Sequence, residues 1–394
     1  MARPLFALAG AFDRHNFGDL LFPHILDALL PPGERRCVGL AARDLRPWGG
    51  HAVRTAVPRQ PVPAAVIHAG GEILDTSAWE AAVMLAPDGP AMAGRRGLPD
   101  IAAAAWAGSI LGIPDRAPYV FGEDRCGAGV ARVFNAVGGS GLAHRDPAFV
   151  AEVTAKLATA AHVGVRDRVT RDFLAAHGIA AALTPDPAAI VARLFGPAVA
   201  RRRRQGAAGE LGGIWRGGYL ALQFSADYGD DATLDALAAA LRAWPADRGI
   251  ALFQAGAAPW HDDPAVYRRL AARLPARRAV LFESLHWRDI VALLAGAAAF
   301  AGSSLHGRIV ATAFGVPAVS LRSEGTSPGK VAAYLATWED DAAPVTPATL
   351  APALAAALAG GYRRRDLAEA LADAYLRYFR SWSAALWPRS ATRR

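Results

Sequence analysis

The chain has 394 residues, 53% hydrophobic and 20% charged, with 43 Lys and Arg against 35 Asp and Glu for a formal net charge of +8. That length accommodates two domains with large buried cores, and the apolar content excludes a disordered chain. Part of the basic excess lies at Arg201–Arg204, Arg363–Arg365 and Arg393–Arg394, which read first as solvated loops and a tail, and otherwise as contacts for an anionic donor, polymer or membrane surface; no basic stripe interleaved with aromatics points to nucleic acid.

Pro4–Phe12 is an apolar run that Asp13, Arg14 and His15 cut off, too short for a signal peptide or membrane span and suited to a buried strand over Leu5–Ala11. A polar loop at 13–19 leads to a helix at Leu20–Leu30. Strand-like runs follow at Cys37–Leu40 and Ala64–Ala69, the latter ending in Gly70-Gly71-Glu72. Ile101–Leu111 reads as a helix, residues 135–139 as a strand end opening into a glycine loop, and Phe149–Ala161 as a helix. Val163–Val165 is a strand running into Arg166-Asp167, and the helix Val169–His177 stops at Gly178, as a C-terminal cap requires. Residues 201–218 read as a linker or exposed loop. The strand pattern restarts at Tyr219–Phe224 and recurs at Ile250–Gln254, Val280–Glu283, Ala298–Ala301 and Ala318–Leu321. Between these lie helices at Thr233–Trp244, Pro264–Leu274 and Ile290–Leu294. Leu367–Trp387 closes the chain as an aromatic-rich amphipathic helix. Strands alternating with helices predict a parallel α/β architecture in two similar halves with a cleft between them.

The most informative stretch is 302–317, where the apolar run 290–301 gives way to Ser303-Ser304-Leu305-His306-Gly307-Arg308. A turn after a buried strand is where α/β sheets hold ligands. A histidine there exchanges a proton near neutral pH, and a helix N-terminus beside it favours an anion. Other features are weaker alone. Asn16 and Asp19 either bind a ligand or cap a helix. Gly70 and Gly71 allow close backbone approach. Arg166 and Asp167 form either a structural ion pair or a bidentate anion contact. Asp186, between Pro185 and Pro187, is a turn residue that could orient another group. His15 and His68 are second-rank candidates beside the glycine motifs. Gly-x-Gly-x-x-Gly, P-loop and Gly-x-Ser-x-Gly motifs are absent, and no metal-ligand spacing is present. Cys37 and Cys126 are far apart and fit a reduced, cytoplasmic compartment.

Taken in order, Asn16-x-Gly18-Asp19, Gly70-Gly71-Glu72, Val165-Arg166-Asp167, Pro185-Asp186-Pro187, Ser303–Gly307, Gly315-Val316-Pro317 and Lys330 resemble the polysaccharide pyruvyl transferase family, over about residues 8–335. The resemblance implies two Rossmann-like domains in a GT-B-like arrangement with a central cleft. Residues 1–200 would form the acceptor-side domain, 201–350 the donor-side domain, and 351–394 helices packing back on both. It also implies transfer of a pyruvyl group from phosphoenolpyruvate to a sugar or lipid-linked glycan precursor, with phosphoenolpyruvate as co-substrate and no further cofactor or metal. His306 would be the general acid and Arg166 would bind the donor. Arg308, Lys330, Ser303 and Ser304 are further donor-side candidates. Asn16, Asp19, Gly70, Gly71 and Glu72 would line the acceptor side. Many members carry an arginine two residues before the histidine, where this chain has Ser304. The competing readings are a GT-B glycosyltransferase using a nucleotide sugar and a non-catalytic glycan-binding protein. The expected location is the cytoplasm, with contact of the basic loops with the inner membrane face left open.

Overall fold

The computed structural model describes residues 3–93, 100–215, 217–323, 329–339, 342–360 and 363–387. Its apolar runs pair into two separate sheets. The first holds nine strands: β1 (Leu5–Ala9), β2 (Glu34–Val38), β3 (Arg43–Asp44), β4 (Ala52–Arg54), β5 (Ala65–His68), β6 (Gly71–Glu72), β7 (Ala131–Gly138), β8 (His162–Val165) and β9 (Ala182–Leu183). Their order is β3-β4-β2-β1-β5-β7-β8-β9, with β6 continuing alongside β7, and only β3 runs antiparallel. The second sheet is wholly parallel: β10 (Tyr219–Gln223), β11 (Gly249–Phe253), β12 (Ala279–Phe282), β13 (Ala299–Gly302) and β14 (Ala318–Ser320), in the order β12-β11-β10-β13-β14. In both sheets the central strands are buried on both faces. Continuous rather than alternating apolar runs such as LFALA and YLALQ follow from that.

The expected strands and most expected helices are present. Residues 201–214 of the stretch read as a linker or exposed loop differ. They continue a helix over Val191–Gln205, which is followed by a second over Ala207–Ile214. The arginines are good helix formers that stay in solvent, while Val191, Val199, Ala208 and Leu211 bury the opposite stripe. Arg202 is tied back to Asp289 on the helix Trp287–Gly296. The C-terminal arginines 393–394 lie outside the described residues. Among the described residues no helix is long and apolar enough to cross a membrane.

The helix Arg363–Leu386 returns to the first sheet. Tyr375 Oη accepts from Asn135 Nδ2 at 3.0 Å, Tyr378 Oη donates to the Phe134 carbonyl at 3.5 Å, and Trp387 meets Phe6 edge-to-face at 4.9 Å. Its aromatics therefore serve packing. Gly164 on β8 makes this docking tight, because a Cβ there would lie 1.9 Å from Tyr378 Oη. Gly164→Ala should displace the helix and cost about 1–3 kcal/mol in urea unfolding. An unchanged midpoint would show that the helix is not clamped at this strand.

Candidate active site

Loops that leave the C-terminal ends of β1, β6, β8, β10, β11, β13 and β14 converge on one cleft of about 980 Å³. This is the expected ligand position for open parallel sheets. Its walls meet through the backbone of the loop after β1. Phe17 N–H donates to the Ala255 carbonyl at 2.8 Å, and Ala257 N–H donates to the His15 carbonyl at 3.1 Å. The cleft therefore spans both sheets rather than belonging to one.

At its floor, Arg166 follows β8 and is almost fully buried. Its Nη1 donates to Asp186 Oδ2 at 2.8 Å and its Nη2 to Glu72 Oε2. Glu72 Oε1 also accepts from Ser140 N–H and Oγ, and Asp186 Oδ1 accepts from Ala188 N–H at 2.9 Å. Burial alone would raise both carboxyls, but His306 and then Arg166 at Asp186, and Arg166 and then Lys330 at Glu72, hold both below their ordinary values. One cation is thus shared between two carboxylates.

His306 faces the same Asp186 oxygen that Arg166 binds, its Nε2 3.6 Å from Oδ2, and it lines the cleft. The ring sits edge-on to Phe22 at 5.2 Å and Phe17 at 6.5 Å. A Cβ on Gly18 would fall 2.0 Å from its Nδ1, so only glycine lets the first helix come this close. Ser304 caps the helix Leu305–Ala313 through Gly307 N–H at 3.1 Å, while its own N–H donates to Gln223 Oε1 at 2.8 Å. Ser303 Oγ accepts from Ser225 N–H at 3.2 Å.

The remaining sequence candidates divide. Asn16, Asp19, Glu72, Ser303, Ser304 and Lys330 line the cleft with Arg166 and His306. Asn16 also caps the helix Phe17–Leu29, so its two readings coincide. Gly70 and Gly71 do not line the cleft. With φ of +104° and +87°, they turn the chain so that Phe22 and Asp19 can pack against their Cα atoms. Arg308 departs from its expected place. Its fork grips Glu339 at 3.0 and 2.7 Å, and it is not among the cleft-lining residues. The helical turn after His306 points position 308 toward β14 instead. His15 is bound to the Leu285 carbonyl at 2.8 Å, and burial lowers its pKa. His68 stacks on Phe134, accepts from Phe121 N–H at 3.0 Å and is pushed down to about 3 by burial. Neither lines the cleft. Among the described residues, no group of three or more His, Cys, Asp or Glu is placed to hold a metal ion.

A sequence model of the polysaccharide pyruvyl transferase family matches residues 108–325, more than half of the chain. The chain belongs to this family. No curated protein sequence matches it. Solved structures share its fold at low identity. A UDP-N-acetylglucosamine 2-epimerase from Neisseria meningitidis, bound to UDP-GlcNAc, aligns with TM-score 0.53 and 11% identity over 96% of this chain and 99% of that one. A putative UDP-N-acetylglucosamine 2-epimerase from Listeria monocytogenes gives 0.54 and 11% over 98% and 97%. An α,α-trehalose 6-phosphate synthase from Burkholderia multivorans gives 0.53 and 14% over the full length of both. The fold of this pyruvyl transferase family member is thus the GT-B type.

In this family member, several cleft groups carry no motif and were missed from the sequence. Arg14 and His261 line the cleft, as do Asp75 and Asp262. Arg14 sits in the polar loop after β1 and was visible only as part of that loop. Asp75 accepts from Gly141 N–H at 2.6 Å, and burial and then Glu72 push it well above the usual range. Asp262 accepts from Gln223 Nε2 at 2.7 Å and Ala255 N–H at 2.5 Å, yet burial pushes it up to about 7.

Arg166→Met should leave two buried carboxylates uncompensated and destabilise the fold by about 3–5 kcal/mol in chemical unfolding. A loss below about 1 kcal/mol would mean that the pairing is not holding the floor together. Asp262 gives a pH test. Folding favours its protonated form, so its contribution to stability is full below its ordinary value of 3.8 and declines as pH rises to about 7. Unfolding curves of wild type and Asp262→Asn should diverge over that window by about 1.4 kcal/mol per pH unit, with the wild type losing stability faster. Parallel curves would contradict it.

Proposed function

We propose that the cleft transfers a pyruvyl group from phosphoenolpyruvate onto two hydroxyls of one sugar in a polysaccharide or glycan precursor, releasing phosphate. The observation that carries this is His306 on the cleft wall with the ionised Asp186 behind its Nε2, in a member of the pyruvyl transferase family. Asp186 orients the ring and balances its charge when it is doubly protonated. His306 then acts as general acid. The enol π pair takes its proton at C3, and C2 becomes electrophilic. A sugar hydroxyl attacks C2 and loses its proton, and the C2–O bond to phosphate breaks. A second hydroxyl then adds to C2 and closes the ketal; of the two hydroxyl protons, one returns to His306 and the other leaves with the phosphate.

Arg166 acts through Asp186 in this reading, as a positioning residue, because both of its outer nitrogens are already bonded to carboxylates. Ser303, Ser304 and Lys330 contact the donor, and Asn16, Asp19 and Glu72 bound the acceptor side. The chemistry needs no cofactor besides the co-substrate.

With phosphoenolpyruvate and a panel of glycan acceptors, wild type should release phosphate. His306→Asn, checked for folding by thermal melting, should release it about 100-fold or more slowly. Equal rates would remove His306 as the acid. The GT-B likeness to UDP-GlcNAc enzymes supplies the contrasting result. Thermal stabilisation by UDP-N-acetylglucosamine, with none by phosphoenolpyruvate, would move the reading to nucleotide-sugar chemistry.

A further inference from the structure

An anionic ligand in this cleft needs a cation whose donors are unspent. Arg166 is committed to two carboxylates, and Arg308 is committed to Glu339 outside the cleft. Arg14 is different. It is more than nine-tenths buried and lines the cleft. Nη1 donates to the Tyr119 hydroxyl at 2.8 Å and to the Ala11 carbonyl at 3.3 Å, which fixes the guanidinium. Among the described residues, Nη1 alone has hydrogen-bond partners, and the buried Nε has none.

The nearest carboxylate does not fill that gap. Asp13 lies 3.7 Å from Nη1, but its Oδ1 accepts from Tyr119 and its Oδ2 from Leu40 and Ala41 N–H. Asp19 is the other carboxylate acting on Arg14, and it too lines the cleft. Lys330, the exposed first residue of the helix Lys330–Trp338, adds a second cation to the same cavity. Both act on one ring. His261 lines the cleft and is pushed down to about 4, first by burial and then by Arg14, with Lys330 adding to the effect. Its Nδ1 faces the Pro259 carbonyl at 3.2 Å and its Nε2 the Asn16 amide at 3.3 Å, a pattern that suits the neutral ring.

We propose that Arg14 and Lys330 form an oxyanion subsite that binds a carboxylate or phosphate group of the donor. The identity of that donor rests on the pyruvyl-transfer reading; the preference for an anion does not. The subsite supplies from the loop after β1 a cation that the motif after β13 lacks, since Ser304 occupies the position where an arginine was expected. A guanidinium immobilised by Tyr119 loses little freedom when its remaining N–H groups close on an oxyanion.

Calorimetric titration of the full-length protein with inorganic phosphate and with phosphoenolpyruvate tests this. Arg14→Gln should weaken phosphate binding about tenfold or more, as expected for losing a charge-assisted contact. Lys330→Gln should weaken it severalfold, and the exposed Arg201→Gln should leave it unchanged. If Arg14→Gln fails to fold, Arg14→Lys and the exposed Lys330→Gln carry the same comparison. Phosphate binding as tight as wild type in the folded Arg14 variant and in Lys330→Gln would overturn the subsite, as would wild type binding neither anion. Arg14-dependent phosphate binding without binding of phosphoenolpyruvate would uphold the subsite and remove the pyruvyl donor instead.

Discussion

A single guanidinium shared by two carboxylates organises this protein. Arg166 is buried where water cannot compensate it, so it is tolerable only with Glu72 and Asp186 in contact, and they in turn are tolerable only with Arg166. The sum leaves one negative charge in excess. That excess faces His306 across 3.6 Å, from the first sheet's loops to the second sheet's histidine. The electrostatic environment of the proposed acid is thereby set by residues more than a hundred positions away in the chain. Moving any of these groups leaves a buried charge without its partner.

The same junction is a packing constraint. The first helix must run against the His306 ring, and Gly18 is the point of closest approach. Backbone pairing at Asn16 and Gly256 fixes the two walls, and Trp338 Nε1 donates to the Arg166 carbonyl at 2.7 Å on the other side. Small residues and main-chain bonds leave little play where the walls touch, while the cavity beyond stays open to a ligand. The helix Arg363–Leu386 adds a further tie by returning from the second half of the chain to the first sheet.

Much of this was legible in the residues. Buried parallel strands need unbroken apolar runs, and these marked both sheets. The site motifs were legible because tight turns after strands need Gly, Ser, Asn and Asp. Asn16, Asp19, Glu72, Arg166, Asp186 and His306 do meet around one cleft. The errors have a common cause. Arg308 is two residues from His306 in sequence, but on a helix that separation turns it to another side, where Glu339 takes it. The run 201–204 reads as a loop because its charge is conspicuous, whereas the buried stripe of Val199, Ala208 and Leu211 is spread thinly.

Local pattern and short spacing are enough for the alternation of strand and helix, the two-sheet class, the family and the histidine at the end of β13. Which cations are spent and which are not emerges only once the chain is folded. Arg166, Arg308 and Arg14 are the same residue type, each near a strand end. Their difference lies wholly in partners brought in from distant parts of the chain: Asp186 and Glu72 for the first, Glu339 for the second, Tyr119 for the third. Pairing of buried charge is a property of three-dimensional neighbours, and no local pattern encodes it.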